Sequence, residues 1–284
     1  MKTIWKGAIA AISLITLVTA VSKLQPMPSA IASQIEIEPE TSAFNHLVLS
    51  EGPIRVVADY DPDTLPNYDP SAPPGISDHL RYTLYYDYQQ HLQGSAYGTR
   101  FSGIALDDLD SDGTPEVIIR SYSNGAHCCT TITLYTWQGE RFTTFETESM
   151  NSRGGYFSDL NNDGAVEFLA ADDAFLYRFA SYADSFAPPT IYTFRDGELV
   201  ETTREHPDHI RDSITRMEAS LEQEPGREGR NGQLAGYVAA KALVGEYEEG
   251  WQYMLENYNA EAQPNYPARL EAFLESAGYI NEAR

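Results

Sequence analysis

Cysteine is nearly missing from this chain: two residues in 284, adjacent at Cys128 and Cys129. Two neighbours cannot build a disulfide framework. Basic residues are also scarce, with 19 Lys+Arg against 42 Asp+Glu. Without the three lysines of residues 1–32, 16 bases face 42 acids, a formal charge of −26. Such a surface repels nucleic acid and anionic lipid, and it attracts divalent cations. A nucleic-acid partner is therefore not expected. The chain has no G-x-S-x-G elbow, no H-E-x-x-H and no P-loop. Its six histidines (His46, His79, His91, His127, His206 and His209) fall in no catalytic pattern, and His206-Pro-Asp-His209 reads as the start of a helix. With 42 acids, no pair can be singled out for glycoside chemistry. No catalytic residue is assigned.

What is present begins with an address. Lys2 and Lys6 precede an apolar run from Gly7 to Val21, and Ala30-Ile31-Ala32 offers a small-residue cleavage site. Residues 1–32 read as a secretory signal peptide. The run is short of the roughly 20 apolar residues of a membrane helix, so no membrane span is expected after cleavage. The absence of a cysteine near that site argues against a lipid anchor. The expected location is outside the cytoplasm: periplasm, cell surface or extracellular space. Residues 33–43 are acidic, lack a core pattern and read as a linker.

Two nine-residue stretches share the template D-x-[DN]-x-D-G-x-x-E, each followed by an apolar run. Asp108, Asp110, Asp112, Thr114 and Glu116 occupy positions 1, 3, 5, 7 and 9 of the first; Asp159, Asn161, Asp163, Ala165 and Glu167 occupy them in the second. Oxygen side chains at 1, 3, 5 and 9, a backbone carbonyl at 7 and glycine at 6 make a cage for a hard cation, Ca²⁺, at two sites. An EF-hand would need Glu at position 12, where Ile119 and Ala170 stand inside strand-like runs.

The loops sit within a longer repeat. Ile104-Ala-Leu leads into the first loop; Val117-Ile-Ile, Thr130 to Trp137 and Arg141 to Phe145 follow. In the second unit the order is Tyr156-Phe, loop, Phe168-Leu-Ala, Ala174 to Phe179, Thr190 to Phe194 and Glu198-Leu-Val. A period of about 50 residues made of strands and turns suggests propeller-type blades. From Phe101 to about Val200 the chain resembles the FG-GAP/VCBS-like repeat family, which includes the calcium-binding blades of integrin α-subunits. The match lies in Asp108, Asp110, Asp112 and Glu116, and in Asp159, Asn161, Asp163 and Glu167. It departs in having Glu rather than Asp at position 9 and in lacking the Gly-Ala-Pro that follows in the family. Two units cannot close a ring of four or more blades, though residues 44–100 offer a degenerate third. The β part over residues 44–205 is then expected as an open or partial β-propeller-like antiparallel domain, or a compact sandwich.

After His206 the pattern becomes helical. Ile210, Ile214, Met217 and Leu221 share one face, Glu222 to Gly232 breaks the run, and Leu234 to Val244 is Ala-rich. Stripes at Trp251, Met254, Leu255 and Tyr258, then at Leu270, Phe273, Leu274 and Ala277, complete a small helical domain over residues 206–284. Gly245 to Met254 weakly resembles a tetratricopeptide hairpin. The expected class is thus α+β. For Cys128 and Cys129, beside His127, three readings stay open: a vicinal disulfide, a metal site, or two plain thiols. The function expected is calcium-stabilised recognition or scaffolding of a protein or glycan partner in the cell envelope. The alternative is a secreted hydrolase acting on cell-wall or polysaccharide material.

Overall fold

Apolar alternation along residues 54–60 and 80–86 builds the first sheet of the computed structural model, which describes residues 33–38, 40–64, 79–151, 153–223 and 229–280. The signal segment lies outside the described residues. A short strand, β1 (Ser33–Glu36), comes first. Four strands then run up and down: β2 (Phe44–Glu51), β3 (Ile54–Tyr60), β4 (Leu80–Tyr86) and β5 (Gln89–Ala96). Val56 lies opposite Leu84, Ala58 opposite Tyr82 and Tyr60 opposite Leu80, all buried on one face. In the sequence, Tyr82 to His91 fits strand and helix equally; pairing with β3 decides for strand.

The second sheet holds β6 (Gly103–Asp107), β7 (Glu116–Tyr122), β8 (Cys128–Trp137), β9 (Phe142–Glu146) and β10 (Met150–Asn151). Strand β1 pairs with β6 on its outer edge, Ile35 opposite Ile104. This corrects the linker expected over residues 33–43. Ile35 and Ile37 alternate with acids and are buried, so the segment carries a short core pattern after all. The third sheet is β11 (Tyr156–Ser158), β12 (Glu167–Ala171), β13 (Pro189–Arg195) and β14 (Glu198–Glu201), again in simple up-and-down order.

The middle sheet is covered on both faces. Ile104, Leu106, Val117, Ile119 and Tyr135 pack with the first sheet. Ala105, Ile118, Ile132 and Leu134 point the other way and pack with Val166, Phe168 and Phe194 of the third. The period-2 rule of strands thus serves two cores at once.

Four helices follow: α1 (Pro207–Gln223), α2 (Arg230–Leu243), α3 (Tyr247–Asn257) and α4 (Tyr266–Ser276). The chain is therefore α+β, antiparallel sheets followed by a helical unit. Ile210, Ile214, Met217 and Leu221 of α1 are buried as their spacing predicts. The break is narrower than Glu222–Gly232, because α1 runs through Gln223 and α2 opens at Arg230. One strand of the repeat is missing. Residues 174–179, expected as extended, begin in a 3-10 turn (Asp173–Phe175) and feed Phe175 and Phe179 into the helical core. There Phe175 meets Phe273 and Tyr279 edge-on at 4.9 and 5.3 Å, which outweighs a strand preference. Helix α2 docks through Gly232 and Gly236. A Cβ on Gly236 would lie 2.2 Å from the Phe186 carbonyl oxygen, and one on Gly232 2.5 Å from the Ala180 Cβ. Among the described residues, no helix is long and apolar enough to cross a membrane.

Candidate metal centre

Each acidic loop closes an antiparallel hairpin. Asp107 pairs with Glu116 at the base of the first, and Ser158 with Glu167 at the base of the second. The same hydrogen bonds recur position by position. The N–H at position 2 donates to the position-9 carboxylate, Leu109 to Glu116 at 3.0 Å and Leu160 to Glu167 at 2.9 Å. The glycine N–H at position 6 donates to position 1, Gly113 to Asp108 at 2.9 Å and Gly164 to Asp159 at 3.1 Å. The N–H at position 7 donates to position 5, Thr114 to Asp112 and Ala165 to Asp163, at 2.7 and 2.8 Å. Gly113 and Gly164 hold φ of 91° and 95°, a region L side chains resist. The shared template therefore encodes one backbone shape used twice.

The loops differ in how their carboxylates converge. Among the described residues, Asp108, Asp110 and Glu116 form the one group of three or more His, Cys or acidic side chains whose ligand atoms all lie within 4.8 Å of one another. Glu116 is 1% exposed. Its pKa is pushed up to about 8 by burial, which outweighs the Leu109 N–H bond, with Asp110, Asp112 and Asp108 adding to the rise. Burial and Asp112 also raise Asp110. Crowded, partly buried carboxylates of one sign suit a divalent cation, which would neutralise them. In the second loop the third position is an amide. Asn161 donates from Nδ2 to Asp163 Oδ2 at 2.8 Å, and its Oδ1 accepts from the Asp163 N–H at 2.9 Å. Asp163 is held below the usual carboxylate range by the Ala165 N–H and by Asn161.

The loops touch each other. Ser111 Oγ donates to the Gly164 carbonyl at 2.6 Å, and the Val166 N–H donates to the Leu109 carbonyl at 3.0 Å. An open cavity of about 510 Å³ lies beside them, lined by Asp110, Asn161, Asp163, Glu167, Arg195 and His206 among others. Residues missed by the sequence reading are Glu51 and Asp107. The Glu51–Gly52 turn lies against the first loop, with Gly52 facing Pro115. Glu51 is raised by burial and by Asp108, and its Oε2 is buried without a hydrogen-bond partner. Burial, then Glu51, lifts Asp107 to about 6. The sequence signals only a hairpin turn at Glu51, not its approach to Asp108.

Cys128 and Cys129 are disulfide-bonded to each other, which selects one of the three readings. His127 stacks on Tyr182 at 4.3 Å and shares a hydrogen bond between its Nδ1 and the Tyr177 hydroxyl. The disulfide lies apart from the metal candidates, at the other end of β7.

Residues 210–278 match the family described as the sll0997 C-terminal domain. The probable thylakoid lumen protein sll0997 of Synechocystis sp. is 34% identical over 216 residues, covering 66% of this chain and 64% of that protein. The uncharacterized protein y4bJ of Sinorhizobium fredii is 32% identical over 151 residues, 52% of this chain and 24% of that one. The chain thus spans less than two thirds of either relative. No solved structure matches it.

Proposed function

We propose that this chain is an exported calcium-binding β-repeat protein of the FG-GAP/VCBS-like type. Its three stacked antiparallel sheets act as a partial propeller. Calcium has a structural role at two loops, and the chain serves recognition or scaffolding in the cell envelope. The observation that carries the reading is the repeated loop: the same hydrogen-bond scheme at two equivalent hairpins, with Asp108, Asp110 and Glu116 crowded together in the first. Asp112, Thr114 and the second-loop groups Asp159, Asn161, Asp163, Ala165 and Glu167 complete the ligand sets by position. A relative named a probable thylakoid lumen protein supports a location across a membrane from the cytoplasm. The aromatic surroundings of His127, Tyr177 and Tyr182, favour a binding face over a hydrolase cleft.

The test is calcium titration by calorimetry with parallel melting curves, comparing wild type with Asp112→Ala plus Asp163→Ala. Binding to the native state alone stabilises by about 1.4 kcal/mol per site at ten times Kd. The wild-type melting temperature therefore rises with calcium and the double variant's does not. Two identical, calcium-independent curves reject the metal reading.

A further inference from the structure

The acidic loops crowd one end of the sheets; the opposite end has the contrary chemistry. Strand β7 leaves the first loop at Glu116 and arrives there at Tyr122. Four connections meet around it: residues 97–102, with Gly98 bridged to Tyr122; the 123–127 turn; residues 153–155, beyond Asn151, which lies opposite Cys128; and the segment carrying Tyr177 and Tyr182. Loops brought together on a rigid scaffold are where binding residues concentrate.

The rings fall in two groups joined by the 123–127 turn. Phe101 lies 5.7 Å from Tyr122. The Tyr122 hydroxyl donates to the Gly125 carbonyl, in the turn that carries His127. Tyr182 stacks on His127, and Tyr177 lies 5.7 Å from Tyr182. Tyr177 is 59% exposed. Phe101 and Tyr177 hold φ of 71° and 60°, which bulky residues avoid and which marks functional sites when the surroundings enforce it.

The charge at this end runs against the rest of the molecule. The guanidiniums of Arg153 and Arg100 lie 4.1 and 5.1 Å from the Phe101 ring centroid. Arg120 donates to the Gly155 carbonyl at 3.0 Å, and the charge of Arg153, after burial, lowers its pKa. Its Nε is buried without a hydrogen-bond partner. Among the described residues none of these arginines makes an ion pair, in a chain where acids outnumber bases 42 to 19. Of the carboxylates nearby, Asp173 accepts from the Asn151 N–H at 2.7 Å, and Glu36 acts on Arg120 without bonding it.

We propose that this end binds a sugar ring carrying a negative charge. The arginine forks take the anionic group. The exposed Tyr177 ring, beside the His127–Tyr182 stack, takes the apolar C–H face of the sugar, and the tyrosine hydroxyls meet the sugar hydroxyls. The proposal gives the recognition role a ligand and rests on that role, not on calcium.

The experiment is calorimetric titration of the full chain, with calcium in every sample, using a galacturonate disaccharide, a hexose phosphate and neutral cellobiose. At least one charged saccharide binds, about tenfold or more tighter than cellobiose. Arg153→Ala and Tyr177→Ala, both at exposed positions, each weaken it by about tenfold while their melting curves match wild type. The disaccharide and the phosphate distinguish a carboxylate from a phosphoryl anion, and either one binding supports the proposal. Binding of neither, equal binding of cellobiose, or wild-type affinity in both variants overturns it. Calcium heats recorded on the same samples separate this failure from failure of the metal reading.

Discussion

Gly236→Ala should destabilise the chain, although alanine is the better helix former. In a solvent-facing helix interior the exchange gains about 1 kcal/mol. Here the added Cβ would lie 2.2 Å from the Phe186 carbonyl oxygen and 2.7 Å from the Phe186 carbon and Cβ. An ordinary carbon–oxygen contact needs about 1 Å more. The obstacle is backbone, so no side chain can swing aside. Either α2 moves off residues 180–186 or that segment moves off α2. Overpacking of this kind costs about 1–3 kcal/mol and sometimes more. A 2.2 Å approach to backbone puts the cost in the upper part of that range, about 2–3 kcal/mol, so a net loss of about 1–2 kcal/mol remains after the propensity gain is subtracted. For a chain of this size that lowers the melting temperature by about 2–8 °C. Urea titration followed by far-ultraviolet dichroism and by tyrosine fluorescence would measure it. A Gly236→Ala chain as stable as wild type, or more so, would refute close backbone docking as the reason for glycine.

Two further outcomes are expected. The Tyr82 and Tyr135 hydroxyls, both buried, bond each other at 2.9 Å between the first and second sheets, and burial raises the pKa of both. Tyr82→Phe should cost about 1–3 kcal/mol by stranding the Tyr135 hydroxyl, and the double Phe variant should recover part of that loss in a double-mutant cycle. In the helical unit Lys241 is buried and donates to Glu246 at 2.6 Å and to Glu249 at 2.8 Å. Burial alone would lower its pKa, but the bonds to Glu246 and Glu249 hold it above the usual value. Glu246 in turn is held below 4.5, chiefly by Lys241 and then by Arg211. A depressed carboxylate contributes stability above its unfolded pKa and loses it as pH falls through the folded one. Glu246→Gln should therefore be less stable than wild type at neutral pH, and in acid titration the gap should begin to narrow near pH 4.5 and close only once pH has fallen through the lower pKa of the folded state.

What could be read from the residues was whatever local periodicity and turn chemistry specify. Val117-Ile-Ile, Thr130 to Trp137 and Thr190 to Phe194 are strands in place. The α1 stripe is also in place, because a 3.6-residue spacing leaves little alternative. Residues 174–179 went astray because an aromatic-rich run satisfies a strand pattern as readily as a turn that delivers Phe175 and Phe179 to distant helices. Ile35 and Ile37 were masked by the acids between them. At the candidate site, the two loops and the positions of their oxygen side chains are visible in the template. The hydrogen bonds joining Ser111 to Gly164 and Leu109 to Val166, and the approach of Glu51, arise from stacking of whole sheets and leave no local mark. The clustering of Arg100, Arg120 and Arg153 was hidden for the same reason, since each comes from a different connection or strand.

The doubly covered middle sheet creates a problem of bookkeeping for the folding chain. In a sheet with one wet face, sliding a strand by one residue drives greasy side chains into water, and the error corrects itself. Between β6 and β7 such a slide would merely swap Ile104 and Leu106 for Ala105, and Val117 and Ile119 for Ile118. Polarity raises little objection. The alignment must be enforced from the hairpin tip, where the Leu109 N–H meets the Glu116 carboxylate and Gly113 bends as its neighbours cannot. The nine-residue turn acts by itself as the clasp that sets which residue faces which.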